Sequence, residues 1–311
     1  MEGEHNVNTE SASPRYRDLD TWEPGEILEA LLERQLAAVA AVRAAKASIE
    51  AAALAAALRL KGRGRLAYAG AGTSGRLAVQ DGAELSPTYG WPQERLVYLL
   101  AGGEKAWLRP VEGAEDDAEA GRAAASGLTT QDVLIAVAAS GRTPYTVAAL
   151  VEARARGALT IGIANNPGTP LLEAAEHPIY LDTGPEAIAG STRMSAGTAQ
   201  KATLNLLSTL VMIRLGRIYG NRMVEVVLTN QKLWSRGVEI LRELTGSDGG
   251  RAEAALKEAG GRVSLAVLLL KGLGLEEARA LLEESGGLRG ALERRGAGLW
   301  SSCDRHRKGQ E

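Results

Sequence analysis

The sequence contains no phenylalanine, and aromatic residues make up only 4% of its 311 residues. Its single cysteine, Cys303, excludes an intramolecular disulfide and favours a reducing compartment. The three histidines, His5, His177 and His306, are far apart, and no zinc-ligand spacing occurs. We therefore expect no metal site.

The chain also lacks a strong charge and a long apolar run. Its formal net charge is −2 and its pI is about 6.1, which gives no electrostatic footprint for nucleic acid or for an acidic membrane. No apolar run reaches the ~18 residues that indicate a membrane span. The polar start, MEGEHNVNTESASPRYRDLD, excludes a secretory signal. These absences predict a cytoplasmic protein without nucleic-acid or membrane partners.

Apolar runs alternate with helical patterns from residue 65 onward. This alternation predicts an α/β fold with a doubly wound, mainly parallel, five-stranded sheet that is covered by helices on both faces. The predicted strands are Arg65–Ala71, Arg95–Ala101, Val133–Ala139, Leu159–Asn165 and Ile179–Asp182, with helices at 75–84, 104–125, 143–156 and 169–176 and a long one at 195–215.

Helical patterns flank the predicted sheet on both sides. Residues 1–60 comprise a polar arm, either loose or ordered through contacts, and a long helix from Pro24 that ends before Gly62. The sheet domain spans 61–221. A connecting helix at 222–247, a small helical bundle at 248–296 and a charged tail at 297–311 follow.

A glycine motif follows the first predicted strand. Gly70, Gly72 and Gly75 spell G-x-G-x-x-G, which by itself is a weak signal for a dinucleotide site. Such a site needs an acidic residue about 20 residues further on, at the end of the second strand. Here the acid that follows that strand, Glu104, is about 30 residues on. No nucleotide-triphosphate loop occurs either, so a small sugar phosphate fits this turn better.

Three turns combine hydroxyl side chains, glycine and arginine at predicted helix N-termini. They are Gly72–Arg76, Ser140–Tyr145 and Gly190–Arg193. Free backbone N–H groups and the helix macrodipole favour an anion at such a place. One such turn is explained equally well by ordinary helix capping. Three of them in one sheet domain favour a phosphate-bearing ligand.

Two acidic residues are candidates for acid–base chemistry. Glu84 lies near Pro87, where the chain is expected to leave the first helix of the sheet domain, and Glu115 lies in the acidic run EGAEDD. Each alone is typical of a solvated surface. Two carboxyl groups in different environments can act as acid and base on a sugar, provided that they meet in space.

Together these motifs resemble the N-acetylmuramic acid 6-phosphate etherases, which belong to the sugar isomerase (SIS) superfamily. The resemblance covers the chain from Thr9 to about residue 295. The matching segments are GAGTSGRL from Gly70, AE with PT around Glu84, AGGEKAWLRPVEGAEDD from Ala101, ASGRTPY from Ala139, GPEAIAGSTRM from Gly184, AGTAQK from Ala196, LGRIYGN from Leu215 and TN from Thr229.

The resemblance implies a SIS-type sheet and cleavage of the D-lactyl ether of N-acetylmuramic acid 6-phosphate, in the recycling of cell-wall sugars. It implies no cofactor and a homodimer. Carried over by motif, Glu84 is the acid that protonates the departing lactate and later activates water, and Glu115 is the base at C2. The implied substrate-binding residues are Thr73, Ser74, Gly75, Ser140, Arg142, Thr143, Glu186, Ser191 and Thr192.

Several positions depart from the family pattern. Ser195 stands where the family usually has a lysine, and Gly82, Leu85 and Ser86 replace the usual residues around Glu84. Leu32, Arg34 and Gln35 replace an asparagine and an acidic pair in the first helix. A regulator that binds a sugar phosphate without catalysis is the alternative that these departures favour. An aldose–ketose isomerase shares proton abstraction at C2 and is a third hypothesis.

Overall fold

The computed structural model describes residues 8–296, with side chains from Thr9 onward. The predicted tail at 297–311 lies outside the described residues. The chain forms two compact units. The sheet unit comprises the residues up to 83 together with 94–211, and the helical unit comprises 84–93 together with the residues from 212 on.

A five-stranded parallel sheet forms the centre of the sheet unit, in the order β2-β1-β3-β4-β5, which confirms the predicted fold class. Every residue of β1, β3 and β4 is buried, as expected for strands that helices cover on both faces. The strands are β1 Leu66–Gly70, β2 Leu96–Leu100, β3 Val133–Val137, β4 Leu159–Ala164 and β5 His177–Tyr180.

Seven helices belong to the sheet unit or begin in it, among the described residues. A cluster of small side chains, including Ala67, Ala69, Ala136, Ala149 and Ala153, fills one face of the sheet, which allows close packing without phenylalanine. The helices are α1 Pro24–Ala44, α2 Lys46–Leu60, α3 Gly72–Tyr89, α4 Ala118–Ala125, α5 Pro144–Ala155, α6 Pro170–Ala174 and α7 Ser195–Arg214.

The structure corrects two helix predictions near the N-terminus. The long helix from Pro24 is two helices, because the chain bends at Ala45 (φ −80°, ψ 5°). Helix α3 continues through Pro87 to Tyr89, whereas the predicted helix ended at residue 84, with Ser86 and Pro87 expected to lie beyond it. Helix α3 therefore holds Glu84 within its last turns and not beyond its end.

Two further helix predictions were too long. The predicted helix at 104–125 is a 3₁₀ turn, Gly103–Trp107, followed by irregular chain and then by the short helix α4. The predicted connecting helix at 222–247 begins only at Gln231, because the side chain of Asn230 accepts a hydrogen bond from the N–H of Leu233 and caps it there.

The helical unit has its own core. Leu241, Leu256, Leu268 and Leu282 are buried in it, and the first six residues of the mostly apolar helix α10 are buried in succession. Its helices are α8 Gln231–Thr245, α9 Gly249–Glu258, α10 Val263–Leu270 and α11 Leu275–Ser285, and residues 288–296 are also helical. No helix in the described part of the chain has the length and apolar character to cross a membrane.

Candidate functional site

A cleft of about 510 Å³ opens at the carboxyl ends of β1 and β3. These two strands are neighbours, but the chain leaves β1 towards β2 on one side and reaches β3 on the other. The strand order thus reverses between them, and open α/β sheets bind their ligands at such a switch point. The lining residues are Glu10, Ala71, Gly72, Thr73, Ser74, Glu115, Asp116, Ala138, Ala139, Ser140, Arg142, Thr143, Pro144 and Thr192.

The first wall of the cleft is the glycine turn after β1. A Cβ atom on Gly75 would lie 2.2 Å from Cδ1 of Leu100 and 2.9 Å from the backbone oxygen of Gly70, so only glycine lets α3 pack this closely on the sheet. Thr73 and Ser74 lie in the first turn of α3 and line the cleft. Their hydroxyls and the free N–H groups of this turn can therefore donate to an anion.

The second wall is the turn after β3. The N–H of Arg142 donates to Oγ of Ser140 at 3.2 Å, and the N–H of Leu171 donates to the carbonyl of Gly141 at 3.1 Å. Gly141 has a φ of +65°, and a Cβ atom there would lie 2.3 Å from Oγ1 of Thr169. The turn is fixed by these contacts. It presents the exposed Arg142 and the half-buried Thr143 to the cleft, at the N-terminus of α5.

The third turn contributes Thr192 to the lining, while the half-buried Ser191 next to it does not line the cleft.

Glu186 is only 1% exposed, and it accepts hydrogen bonds from the N–H of Ser195 at 2.9 Å and of Ala196 at 2.8 Å. Its carboxylate thereby caps α7, where the helix macrodipole favours a negative charge. Glu186 does not line the cleft, and its predicted contact with the sugar stays a prediction.

Ser195 begins α7 and is fully buried. Its Oγ has no hydrogen-bond partner among the described residues. At this position, where the resembled family usually has a lysine, the chain therefore has a small hydroxyl group that is buried.

Glu115 lies in an exposed turn before α4 and lines the cleft together with its neighbour Asp116. The carbonyl of Glu115 accepts a hydrogen bond from the N–H of Tyr145 at 3.0 Å. Asp117, which follows Asp116, caps α4 by accepting a 2.8 Å hydrogen bond from the N–H of Ala120. The hydrogen bonds at Glu115 and Asp117 therefore fix the position of this turn.

Glu84 is exposed on α3 and does not line this cleft. The cleft thus contains one member of the proposed acid–base pair. Of the predicted site residues, the structure gathers Thr73, Ser74, Glu115, Ser140, Arg142, Thr143 and Thr192 around it, and it leaves Gly75, Glu84, Glu186 and Ser191 outside its lining.

Sequence reasoning missed Glu10 and Asp116 as lining residues. Asp116 could have been found, since it follows Glu115 directly in the same acidic run. Glu10 gives no local signal, because it belongs to the polar N-terminal arm. Its placement depends on hydrogen bonds between Thr9 and Asn166, which are 157 positions apart.

A buried polar network holds α3 beside the first wall. Asp81 accepts hydrogen bonds from Oη of Tyr68 at 2.8 Å, from Nδ2 of Asn205 at 2.7 Å and from Oγ of Ser208 at 3.0 Å. Burial raises the pKa of Asp81, and these hydrogen bonds oppose that rise. The network joins α3 to both β1 and α7.

No group of three metal-ligating side chains occurs within residues 8–296.

Family models match two overlapping parts of the chain. Residues 49–154 match the glucokinase regulatory protein N-terminal SIS domain, and residues 106–210 match the SIS domain. One solved structure that matches is a putative phosphosugar isomerase involved in capsule formation from Bacteroides fragilis. It is 21% identical, with a TM-score of 0.47, and the match covers 60% of this chain and 91% of that one.

Curated relatives match almost the whole chain. A protein of Deinococcus radiodurans is 54% identical over 90% of this chain and 92% of its own length. A protein of Rubrobacter xylanophilus is 46% identical over 91% of this chain and 95% of its own length. Each of the two is named N-acetylmuramic acid 6-phosphate etherase.

Proposed function

The chain belongs to the family of N-acetylmuramic acid 6-phosphate etherases, and we propose that it is a lyase that cleaves the D-lactyl ether of this sugar phosphate. The products are N-acetylglucosamine 6-phosphate and D-lactate. We place this activity in the recycling of cell-wall amino sugars in the cytoplasm. One observation carries the proposal: the cleft at the switch point combines two anion-binding turns with the carboxylate of Glu115.

The 6-phosphate binds to the two turns. Thr73 and Ser74 donate from the first turn of α3, and Arg142 supplies a positive charge from the turn before α5. The N-termini of both helices add the partial positive charge of their macrodipoles. Thr143 and Thr192 belong to the same lining, and we assign them to the sugar hydroxyls.

The chemistry requires a base at C2 of the sugar. Opening of the sugar ring exposes an aldehyde at C1, which acidifies the C2 proton. Glu115, which is exposed and lines the cleft, removes that proton. The electron pair of the C2–H bond forms a C2–C3 double bond as the C3–O bond to lactate breaks. Water then adds its oxygen to C3 and returns a proton to C2.

The departing lactate needs a proton, and Glu84 is the residue to which the family pattern assigns this role. Glu84 does not line the cleft of its own protomer. We therefore propose that the protein is a homodimer and that the Glu84 carboxyl reaches the cleft of the partner subunit. Leu28, Leu32, Leu36 and Val39, each more than half exposed along one side of α1, supply an apolar surface that a second copy would cover.

The experiment is an assay of D-lactate release from N-acetylmuramic acid 6-phosphate with the purified chain. Lactate and N-acetylglucosamine 6-phosphate in equal amounts support the lyase. Tight binding of the sugar phosphate with no turnover would instead indicate a regulator. Formation of a ketose without lactate would indicate an isomerase.

A further inference from the structure

The N-terminal arm reaches the cleft at Glu10, which directly follows the buried Thr9. Thr9 is fully buried although the arm around it is polar. Its N–H donates to Oδ1 of Asn166 at 3.4 Å, its Oγ1 accepts from Nδ2 of Asn166 at 3.0 Å, and its carbonyl accepts from the N–H of Gly190 at 3.1 Å. Ordering a residue costs backbone entropy, and the three hydrogen bonds of Thr9 oppose that cost and fix this part of the arm.

The partner of Thr9 is itself bound to the wall of the cleft. Nδ2 of Asn166 also donates to the carbonyl of Ala139 at 2.9 Å. Ala139 lines the cleft and directly precedes Ser140 of the second anion-binding turn. The arm is thus attached to the same segment that positions the phosphate-binding groups.

Glu10 follows Thr9 and lines the cleft with Thr73, Glu115 and Arg142. A Cβ atom on Gly190 would lie 2.8 Å from Oε2 of Glu10, so the missing side chain at Gly190 leaves the room that the carboxylate occupies. Within residues 8–296, no residue donates a hydrogen bond to this exposed carboxylate or forms an ion pair with it. Its acceptor oxygens are available to a ligand.

The chemistry of a carboxylate decides which part of a ligand it can hold. An ionised carboxylate only accepts hydrogen bonds, and it repels a phosphate or the carboxylate of a lactyl group. Sugar hydroxyls and an amide N–H are donors, and their hydrogen bonds to a charged acceptor are among the stronger ones. We propose that Glu10 is a specificity-determining residue that accepts hydrogen bonds from the hydroxyl or amide donors of the sugar, while the turns hold its phosphate. This inference rests on the proposed sugar-phosphate substrate.

The test compares two ligands on the full-length chain by calorimetric titration. The probes are N-acetylglucosamine 6-phosphate, which has the sugar donors, and inorganic phosphate, which lacks them. We expect Glu10→Ala to weaken binding of the sugar phosphate by at least ~10-fold and to change binding of inorganic phosphate by less than ~2-fold. Glu10→Gln, which keeps the shape and loses the charge, should lie between the wild type and Glu10→Ala.

Two controls separate contact with the sugar from damage to the arm. Glu29→Ala removes another exposed carboxylate near the N-terminus and should leave both affinities unchanged. Thermal unfolding of each variant verifies that it is folded. Equal weakening of both ligands in Glu10→Ala, or no change in either, would overturn the proposal.

Failure of the Glu10 assignment can be distinguished from failure of the proposed lyase activity. In the lactate-release assay, Glu10→Ala should raise KM more than it lowers kcat, since Glu10 binds substrate and transfers no proton. If the wild-type chain binds N-acetylglucosamine 6-phosphate but releases no lactate, the lyase proposal fails. The assignment of Glu10 is then still decided by the two titrations.

Discussion

The N–H of Tyr145 donates a 3.0 Å hydrogen bond to the carbonyl of Glu115 and so ties the turn that carries the proposed base to the first turn of α5. The same helix N-terminus follows Arg142 and Thr143 directly. Gly121 of α4 strengthens this connection, because a Cβ atom there would lie 2.2 Å from the carbonyl oxygen of Tyr145. The backbone of Glu115 is therefore fixed relative to the proposed phosphate-binding turn, although its side chain is exposed.

Replacement of Glu115 by glutamine should lower the turnover of lactate release by at least ~100-fold, because a neutral amide cannot accept the C2 proton. It should equally abolish incorporation of deuterium at C2 when the reaction runs in heavy water, which nuclear magnetic resonance measures. Glu112→Gln changes an exposed acid of the same loop that does not line the cleft, and it should retain wild-type turnover. Full activity of Glu115→Gln would remove Glu115 from the role of base.

Mixing two inactive variants tests the proposed contribution of Glu84 from the partner subunit. Glu84→Gln and Glu115→Gln homodimers should each be at least ~100-fold impaired. After the two are unfolded together and refolded, half of the dimers are mixed, and each mixed dimer contains one intact site. Lactate release should therefore recover to roughly a quarter of the wild-type value. If the mixture stays as inactive as its components, both glutamates serve the site from one chain, or Glu84 serves none.

The close packing of α3 on the sheet predicts a stability effect at Gly75. The methyl group of Gly75→Ala would overlap Cδ1 of Leu100 and the backbone of Gly70. Such overpacking should lower the free energy of unfolding by about 1–3 kcal/mol, as measured by denaturant titration. Gly127→Ala is the matched control, because a Cβ atom there meets nothing within 4 Å. Equal stability of the two variants would show that α3 can shift to make room.

Asp132, at the start of β3, predicts a pH dependence of stability. Burial alone would raise its pKa, but hydrogen bonds from the side chain and N–H of Arg65 and from the N–H of Thr129 outweigh burial and lower the pKa below its usual 3.8. Since the folded-state pKa is the lower one, the stabilisation is present above about pH 4 and is lost as the pH falls through the folded-state value.

We therefore expect Asp132→Asn to be less stable than the wild type at neutral pH and to lose less stability on acidification below pH ~4. Chemical denaturation at a series of pH values measures both effects. Asp20→Asn, the control at an exposed position of the N-terminal arm, should lose stability on acidification to the same extent as the wild type. Parallel curves for Asp132→Asn and the wild type would contradict the assignment.

The sheet could be predicted from the sequence because buried parallel strands are nearly continuous apolar runs between helical patterns. The first four strands lie within the predicted ranges. Strand β5, His177–Tyr180, begins two residues before the predicted Ile179, since a histidine and a proline at its start interrupt the apolar pattern. That sheet edge is the place where Pro is tolerated.

The helix boundaries could not be predicted from the sequence, because they depend on tertiary contacts that local sequence rules do not consider. Helix α3 continues through Pro87, where Leu85 is buried and accepts a backbone hydrogen bond from the buried Trp91. No glycine or proline marks the bend at Ala45. The composition of the glycine- and hydroxyl-bearing turns singled out residues that line the cleft, whereas the place of Glu10 depends on the distant Asn166 and Gly190.

The order of the strands has a consequence for biosynthesis. Strand β1 pairs with β2, but its other edge is closed only by β3, whose Val133 aligns with Leu66. A nascent chain that has not yet reached Val133 therefore carries the glycine turn beside an open, apolar strand edge, which is prone to wrong pairing. The proposed phosphate site needs the turns after both strands, so we expect truncated products of the ribosome to lack it and to aggregate.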